Sequence, residues 1–201
     1  MKLLLITLLL VLATASFCSA AGQDIQAVFD RANESFNEGR YDKAIQDYNT
    51  VISQYPELIE AYYNRGLAYY RKGKYEEAVS DLSRVVSSRP QQADAVNSRG
   101  LAYLKKGDLE RAADDFTRVI SLNPKLIEAY YNRGIANRGL GRHDQAIEDY
   151  NKVLSMRPED SNAYSSRGVA YLNKAMADFK KACEMGNQNS CENLKELQGK
   201  K

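Results

Sequence analysis

Tryptophan is absent from the 201 residues, histidine occurs once, and there are only three cysteines and four prolines. The lone histidine, His143, has no second imidazole with which to form a metal pair or a relay, and no P-loop, nucleophile elbow or paired metal motif takes its place. These absences predict a protein that is not an enzyme and that carries no metal and no cofactor. Charge of one sign is lacking as well: 28 lysines and arginines against 26 aspartates and glutamates leave a formal charge of +2, with both signs interleaved. A nucleic-acid or anionic-membrane surface needs basic residues gathered on one face, so no nucleic-acid partner is expected.

The four prolines are the most informative residues present. Pro56, Pro90, Pro124 and Pro158 are each 34 residues apart, which divides the chain into repeats 25–58, 59–92, 93–126 and 127–160. Counting places within a repeat, small residues recur at place eight (Ala32, Gly66, Gly100, Gly134, Gly168), glycine at fifteen (Gly39, Gly73, Gly107, Gly141) and alanine at twenty (Ala44, Ala78, Ala112, Ala146). Large apolar groups recur at twenty-four (Tyr48, Leu82, Phe116, Tyr150) and valine at twenty-seven (Val51, Val85, Val119, Val153). Between these marks the apolar residues keep helical spacing, so each repeat is two helices. Glycine at place fifteen ends the first, and proline at thirty-two, lacking an N–H, stops the second. One pair cannot bury both its faces; a stack of pairs can.

This pattern resembles the tetratricopeptide repeat, in which small-8, Gly-15, aromatic-17, Ala-20, aromatic-24 and Pro-32 recur. The tryptophan favoured at place four is replaced by Val28, Tyr62, Val96, Tyr130 and Tyr164, and place eleven holds Ser35 and Asn137 in two repeats. His143 stands at place seventeen with Tyr41, Tyr75 and Leu109 and reads as a packing substitution. The resemblance implies an all-α fold: a right-handed α-solenoid of antiparallel helix pairs over residues 25–197, with four regular repeats and an irregular fifth. It also implies a non-catalytic scaffold whose first helices line a concave groove for a peptide or protein segment. Carried over place by place, that groove is Phe29, Asn33, Phe36, Tyr63, Asn64, Leu67, Tyr70, Arg71, Asn97, Leu101, Lys105, Tyr131, Asn132, Ile135 and Arg138. Rigid aromatics and amides suit a peptide ligand, although any of these side chains could instead serve packing. Asn33 and Asn64 match the asparagines of the carboxylate clamp that some family members use on chaperone C-termini, but Phe29, Asp94 and Ser98 stand where its cations belong. Chaperone-tail binding is therefore not expected.

An arginine occupies place seven of all five repeats (Arg31, Arg65, Arg99, Arg133, Arg167) and an aspartate place twenty-three (Asp47, Asp81, Asp115, Asp149, Asp178). Their matched recurrence predicts ion pairs across each helix junction, with a structural role weighed above ligand binding.

In the fifth repeat, Ala175 and Phe179 arrive five residues early, and the steps from Tyr164 through Gly168, Tyr171, Ala175 and Phe179 to Ala182 stay on one helical face. One long helix over about Ser161–Glu184 is expected within a capping repeat 161–186, followed by a short helix 189–197 with a capping box from Asn189 to Glu192. The alternative to a capping role is dimerisation through the long helix, which only its length favours.

The first 21 residues differ in kind. Lys2, the apolar run Leu3–Ala13 and the small residues Ser19, Ala20 and Ala21 read as a secretory signal peptide, with a retained anchor as the alternative. Cys18 invites a lipoprotein reading, which bulky Phe17 opposes. The expectation is an exported chain, periplasmic or secreted, with no stable membrane insertion after cleavage. Cys183 and Cys191 would then lie in an oxidising compartment as a candidate disulfide, the alternative being two packed thiols. Three functions stay open at this point: a peptide-binding scaffold, a self-associating subunit of an envelope or secretion assembly, and an accessory that binds cell-wall glycan or peptidoglycan.

Overall fold

The computed structural model describes residues 25–199, all of whose regular structure is helical; the signal-peptide reading and Cys18 lie outside the described residues. The described residues divide into two compact units, the first ending at Pro90 and the second beginning at Gln91. The first holds α1 (25–37), α2 (Tyr41–Gln54), α3 (Ile59–Arg71) and α4 (Tyr75–Ser88). The second holds α5 (Ala93–Lys106), α6 (Leu109–Leu122), α7 (Ile127–Gly139), α8 (His143–Met156), α9 (Ser161–Glu184) and α10 (Gln188–Gly199). Within each unit, helices consecutive in the chain pack on one another, which is the α-solenoid architecture.

The turns between paired helices have one design. Gly39, Gly73, Gly107 and Gly141 all have φ between 74 and 88°, the left-handed region where a side chain is strained. The amide after each glycine reaches back across the turn, Lys74 N–H donating to the Tyr69 carbonyl at 2.9 Å and Asp108 N–H to that of Tyr103 at 2.9 Å. That bond satisfies carbonyls the helix end would otherwise leave bare. Second helices stop differently, with α2 ending two residues before Pro56 and α4 two before Pro90.

Close approach within a pair depends on place eight. A Cβ on Gly66 would lie 3.0 Å from Leu82, one on Gly100 3.0 Å from the Phe116 ring, and one on Gly134 2.8 Å from the Tyr150 ring. Leu82, Phe116 and Tyr150 are themselves fully buried, so the ring or branch that touches the glycine has no room to retreat. Between pairs, Val153 and Leu154 of α8 pack with Tyr130 of α7 and Ala163 of α9, as Val51 of α2 packs with Ile25 and Ala61 in the first unit. The nonapeptide Leu-Ile-Glu-Ala-Tyr-Tyr-Asn-Arg-Gly occurs twice, at 58–66 and 126–134, so α3 and α7 carry the same side chains into their respective pairs.

The fifth repeat has no turn. From Ser161 to Glu184, α9 runs unbroken, capped at its start by the Asp160 side chain accepting from the Ala163 N–H at 2.9 Å. Gly186, φ 94°, turns the chain into α10, and a disulfide joins Cys183 to Cys191 across that corner. The cap of α10 is not the expected Asn189. Asn187, the first residue after the turn, accepts from the Ser190 N–H at 3.0 Å, which puts Asn189 inside the first turn.

Gly134→Ala is expected to lower stability by about 1–3 kcal/mol, because the new methyl meets the buried Tyr150 ring and nothing there can yield. Urea denaturation monitored by circular dichroism measures it; an unchanged midpoint would show that the junction is not tightly packed.

Candidate functional site

The predicted ion pairs set the frame on which any binding face rests. Arg31 meets Asp47, Arg65 meets Asp81, Arg99 meets Asp115 and Arg133 meets Asp149, each at 2.7 Å and each through Nε as well as Nη2. Their surroundings differ. Asp47 is held below the usual carboxylate range by the Arg31 hydrogen bond, whereas burial pushes Asp149 above it despite Arg133 and Asn137. The third nitrogen of the fork reaches back to the preceding repeat: Arg65 Nη1 donates to Asn49 at 2.6 Å, Arg133 Nη1 to Thr117 at 3.2 Å and Arg167 Nη1 to Asn151 at 2.6 Å. This second contact was missed in the sequence, although the polar residues Asn49, Thr117 and Asn151 at place twenty-five signal it.

Arg167 and Asp178 do not pair. Both lie on α9, eleven residues and hence about 16 Å apart along one axis. The missing turn that fuses the two halves of the repeat is what separates them.

The face proposed for a ligand falls on places five, six, nine, twelve and thirteen of the first helices. Burial separates it cleanly from the packing face: Ala61, Tyr62, Gly66 and Ala68 of α3 are buried, while Tyr63, Asn64, Leu67 and Tyr70 beside them are half-buried and Arg71 is exposed. In α7 the same division sets Ala129, Tyr130, Gly134 and Ala136 against half-buried Tyr131, Asn132, Ile135 and Arg138. Phe29, Asn33, Phe36, Asn97 and Leu101 are likewise half-buried and Lys105 is exposed.

Several of these side chains are engaged with their neighbours. In the first unit, the Asn33 amide oxygen accepts from both the Tyr48 hydroxyl at 2.7 Å and the Asn64 amide at 2.9 Å. Phe29 stacks edge-on against Tyr48 and Phe36 against Tyr41. In the second unit, Tyr131 shares a hydrogen bond with Ser166 of α9 at 3.0 Å. Place twenty-four therefore reaches the ligand face from below, a role that sequence reasoning gave to packing alone. Tyr48 bonds Asn33 at place nine; the residue at that place in the repeat of Tyr150 is Ile135, which has no side-chain acceptor, and the buried Tyr150 hydroxyl has no hydrogen-bond partner. The Nε of Arg138 and the amide oxygen of Asn97, both on this face, are buried and unpartnered too. Burial raises the Tyr150 phenol above its ordinary value; Arg138 lies close enough to oppose the shift, yet no hydrogen bond of acceptable geometry joins them.

A separate concavity of about 330 Å³ opens on the opposite edge of α7, lined by residues that include Thr117, Arg133, Asn137, Gln145 and Asp149. Its origin is place eleven. Tyr69 and Tyr103 lie near the guanidinium groups of Arg65 and Arg99, at 5.7 Å to the ring centres, whereas Asn137 substitutes a short amide that donates to Asp149 at 3.1 Å and leaves the space open. Among the described residues no three histidine, cysteine or acidic side chains are grouped to hold a metal ion, and no helix is long and apolar enough to cross a membrane.

Family profiles described as tetratricopeptide repeat or TPR repeat match residues 32–73, 63–127 and 127–160. The chain belongs to the tetratricopeptide repeat family. Among solved structures it is similar to the crystal structure of MamA protein, with 28% identity and a TM-score of 0.73 over 89% of this chain and 94% of that one. It is also similar to MamA from Desulfovibrio magneticus RS-1, with 26% identity and a TM-score of 0.65 over 68% of this chain and 78% of that one. The first TPR of Spaghetti (RPAP3), bound to the HSP90 peptide SRMEEVD, matches 58% of this chain and 93% of its own at 25% identity and a TM-score of 0.55. Among curated proteins, none matches the sequence significantly.

Burial pushes the Tyr48 phenol up to about 12, so the folded state resists ionisation that the unfolded chain undergoes near the ordinary value of 10.0. The stabilisation this represents is complete below about pH 10 and is lost as pH rises toward about 12. Denaturation midpoints measured across that range should fall, and Tyr48→Phe should make the fall shallower while costing about 1 kcal/mol at neutral pH for the lost hydrogen bond. An unchanged alkaline slope in the variant would contradict this.

Proposed function

We propose that this tetratricopeptide-repeat chain is a non-catalytic scaffold that holds an extended peptide or protein segment on the first-helix face of its repeats. Protein–protein interaction is the general role of the fold. The finer reading is carried by one observation: in the second unit the Arg138 Nε and the Asn97 amide oxygen, on half-buried residues of that face, are without partners. Buried polar groups are almost always satisfied, and one donor beside one acceptor suits the carbonyls and N–H groups of an extended main chain. Tyr131, Ile135 and Leu101, half-buried beside them, supply apolar contact. The RPAP3 domain lends support as a fold relative bound to a peptide. A chaperone tail is not the ligand proposed here, since Phe29, Asp94 and Ser98 offer none of the cations that a terminal carboxylate would need.

Peptides selected from a displayed random library against the full chain should bind it saturably. Arg138→Ala and Tyr131→Ala should each weaken them about tenfold or more, the scale on which truncating an interface anchor acts. Failure to select any binder, or binders indifferent to both substitutions, would remove the basis for this reading.

Export is part of the same proposal. Lys2, the run Leu3–Ala13 and the small residues Ser19–Ala21 have the make-up of a signal sequence, and a Cys183–Cys191 disulfide persists in oxidising compartments. Intact-mass measurement of the protein from its native host should show a chain beginning at Ala21 or Gly22; a mass that includes Met1–Ala20 would refute cleavage.

A further inference from the structure

The first half of α9 presents a packing face with no helix upon it, while α10 packs on its second half. In repeats two to four, place-eight glycines are pressed by their own second helix, but a Cβ on Gly168 would meet nothing within 4 Å. Tyr164 and Tyr171 beside it are 50% and 52% exposed, whereas their counterparts Tyr62, Tyr130 and Tyr103 are 7%, 8% and 6% exposed and Tyr69 is half-buried. The side chains are those of a helix–helix junction, left in solvent.

The residues that would cover this face are present in the same helix. Ala175, Asp178, Phe179 and Ala182 reproduce the small, acidic and aromatic pattern of a second helix, but Ala175 follows Gly168 by seven residues where Ala112 follows Gly100 by twelve. Without those five residues α9 cannot fold back on itself, so both halves of the repeat lie end to end on one rod. A hinge too short to close within one chain favours closure between two.

Arg167 is already set for such a closure. Its Nη1 holds Asn151 at 2.6 Å as Arg65 Nη1 holds Asn49 at 2.6 Å, but where the Nε and Nη2 of Arg65 grip Asp81, those of Arg167 have no acceptor among the described residues. The register is consistent as well. Antiparallel pairing of two copies of one helix requires every contact to be centred on one point. The pairs Arg167 with Asp178, Gly168 with Phe179 and Tyr164 with Ala182 are all centred at or within one residue of Asn173.

We propose that the chain forms a two-fold homodimer in which α9 of each copy packs antiparallel against α9 of the other about Asn173, the partner's Asp178 entering the Arg167 fork and the partner's Phe179 covering Gly168. Two incomplete repeats thereby complete one another, and the interface is isologous, closing at two copies. The proposal is independent of the peptide-binding reading, whose face on α5 and α7 it does not use.

Sedimentation velocity of the full chain over a range of concentrations tests it. The wild type should be a dimer, and Asp178→Arg, a change at an exposed position, should weaken dimerisation at least about tenfold by setting like charges face to face. Arg167→Asp should do the same, and the double variant, which restores opposite charges with reversed sign, should regain the dimer. Inserting Lys-Gly-Lys-Tyr-Glu, the turn of repeat two, after Asn173 should let the repeat close on itself and give a monomer. A wild type that is monomeric at every concentration overturns the proposal, as does a dimer indifferent to Asp178→Arg and to the insertion.

Discussion

Everything in each helix pair hangs on how closely its two helices can approach, and a single junction sets that distance. At its centre a small residue, glycine in repeats two to four, admits a buried ring or leucine from the facing helix, and beside it an arginine fork closes on an aspartate. The two devices need each other. Without the small residue the charged groups could not come within hydrogen-bond reach, and without the ion pair the aspartate, buried to within a few per cent in repeats two to four, would be an uncompensated charge. The pair is better understood as a gauge than as a source of stability. At Asp149 desolvation outweighs the attraction of Arg133, whereas at Asp47, whose arginine is half exposed, the hydrogen bond prevails. Burial thus turns the same two residues from a favourable contact into a geometric requirement.

The arginine does more than close its own repeat. Because Nη1 reaches the polar residue at place twenty-five of the repeat before it, one guanidinium fixes both the spacing within a pair and the offset of that pair from its predecessor inside each unit. Five donors in a rigid plane make this possible, and a lysine in the same place could satisfy only part of it. Around this frame, weaker surface pairs repeat at similar intervals, Lys72 with Asp42 and Lys174 with Asp144 among them. They are exposed and contribute little individually.

The scaffold was legible from the sequence because its requirements are local and recur: glycine where φ must be positive, proline where an amide must be missing, small residues where helices touch. The fused α9 was legible for the same reason, as a fault in the period. What the period could not show was the state of individual side chains. Tyr48 and Tyr150 occupy the same place and read alike, yet one hydroxyl is satisfied by Asn33 and the other, in a repeat with Ile135 at that place, is not. The open cavity beside Asn137 likewise depends on which of two neighbouring groups fills a volume. The pairing of Arg167 with Asp178 was misread because recurrence was followed past the point where the missing turn had removed its geometric basis.

The duplicated nonapeptide on α3 and α7 has a consequence for how the chain reaches its native state. Since repeats two and four also share the arginine–aspartate junction and the outer pairs Arg89–Glu60 and Arg157–Glu128, α3 docked on α8 would find nearly every polar contact it makes with α4. Energetic discrimination between right and wrong partner then falls to the side chains that differ between α4 and α8, Leu82 against Tyr150 and Val86 against Leu154 among them. The polymer supplies the rest: Arg65 lies 16 residues from Asp81 but 84 from Asp149, a difference in loop closure of about 1.5 kcal/mol in favour of the neighbour. A molecule made of near-copies thus sorts its partners by proximity along the thread as much as by shape, and its kinetic traps are errors of address.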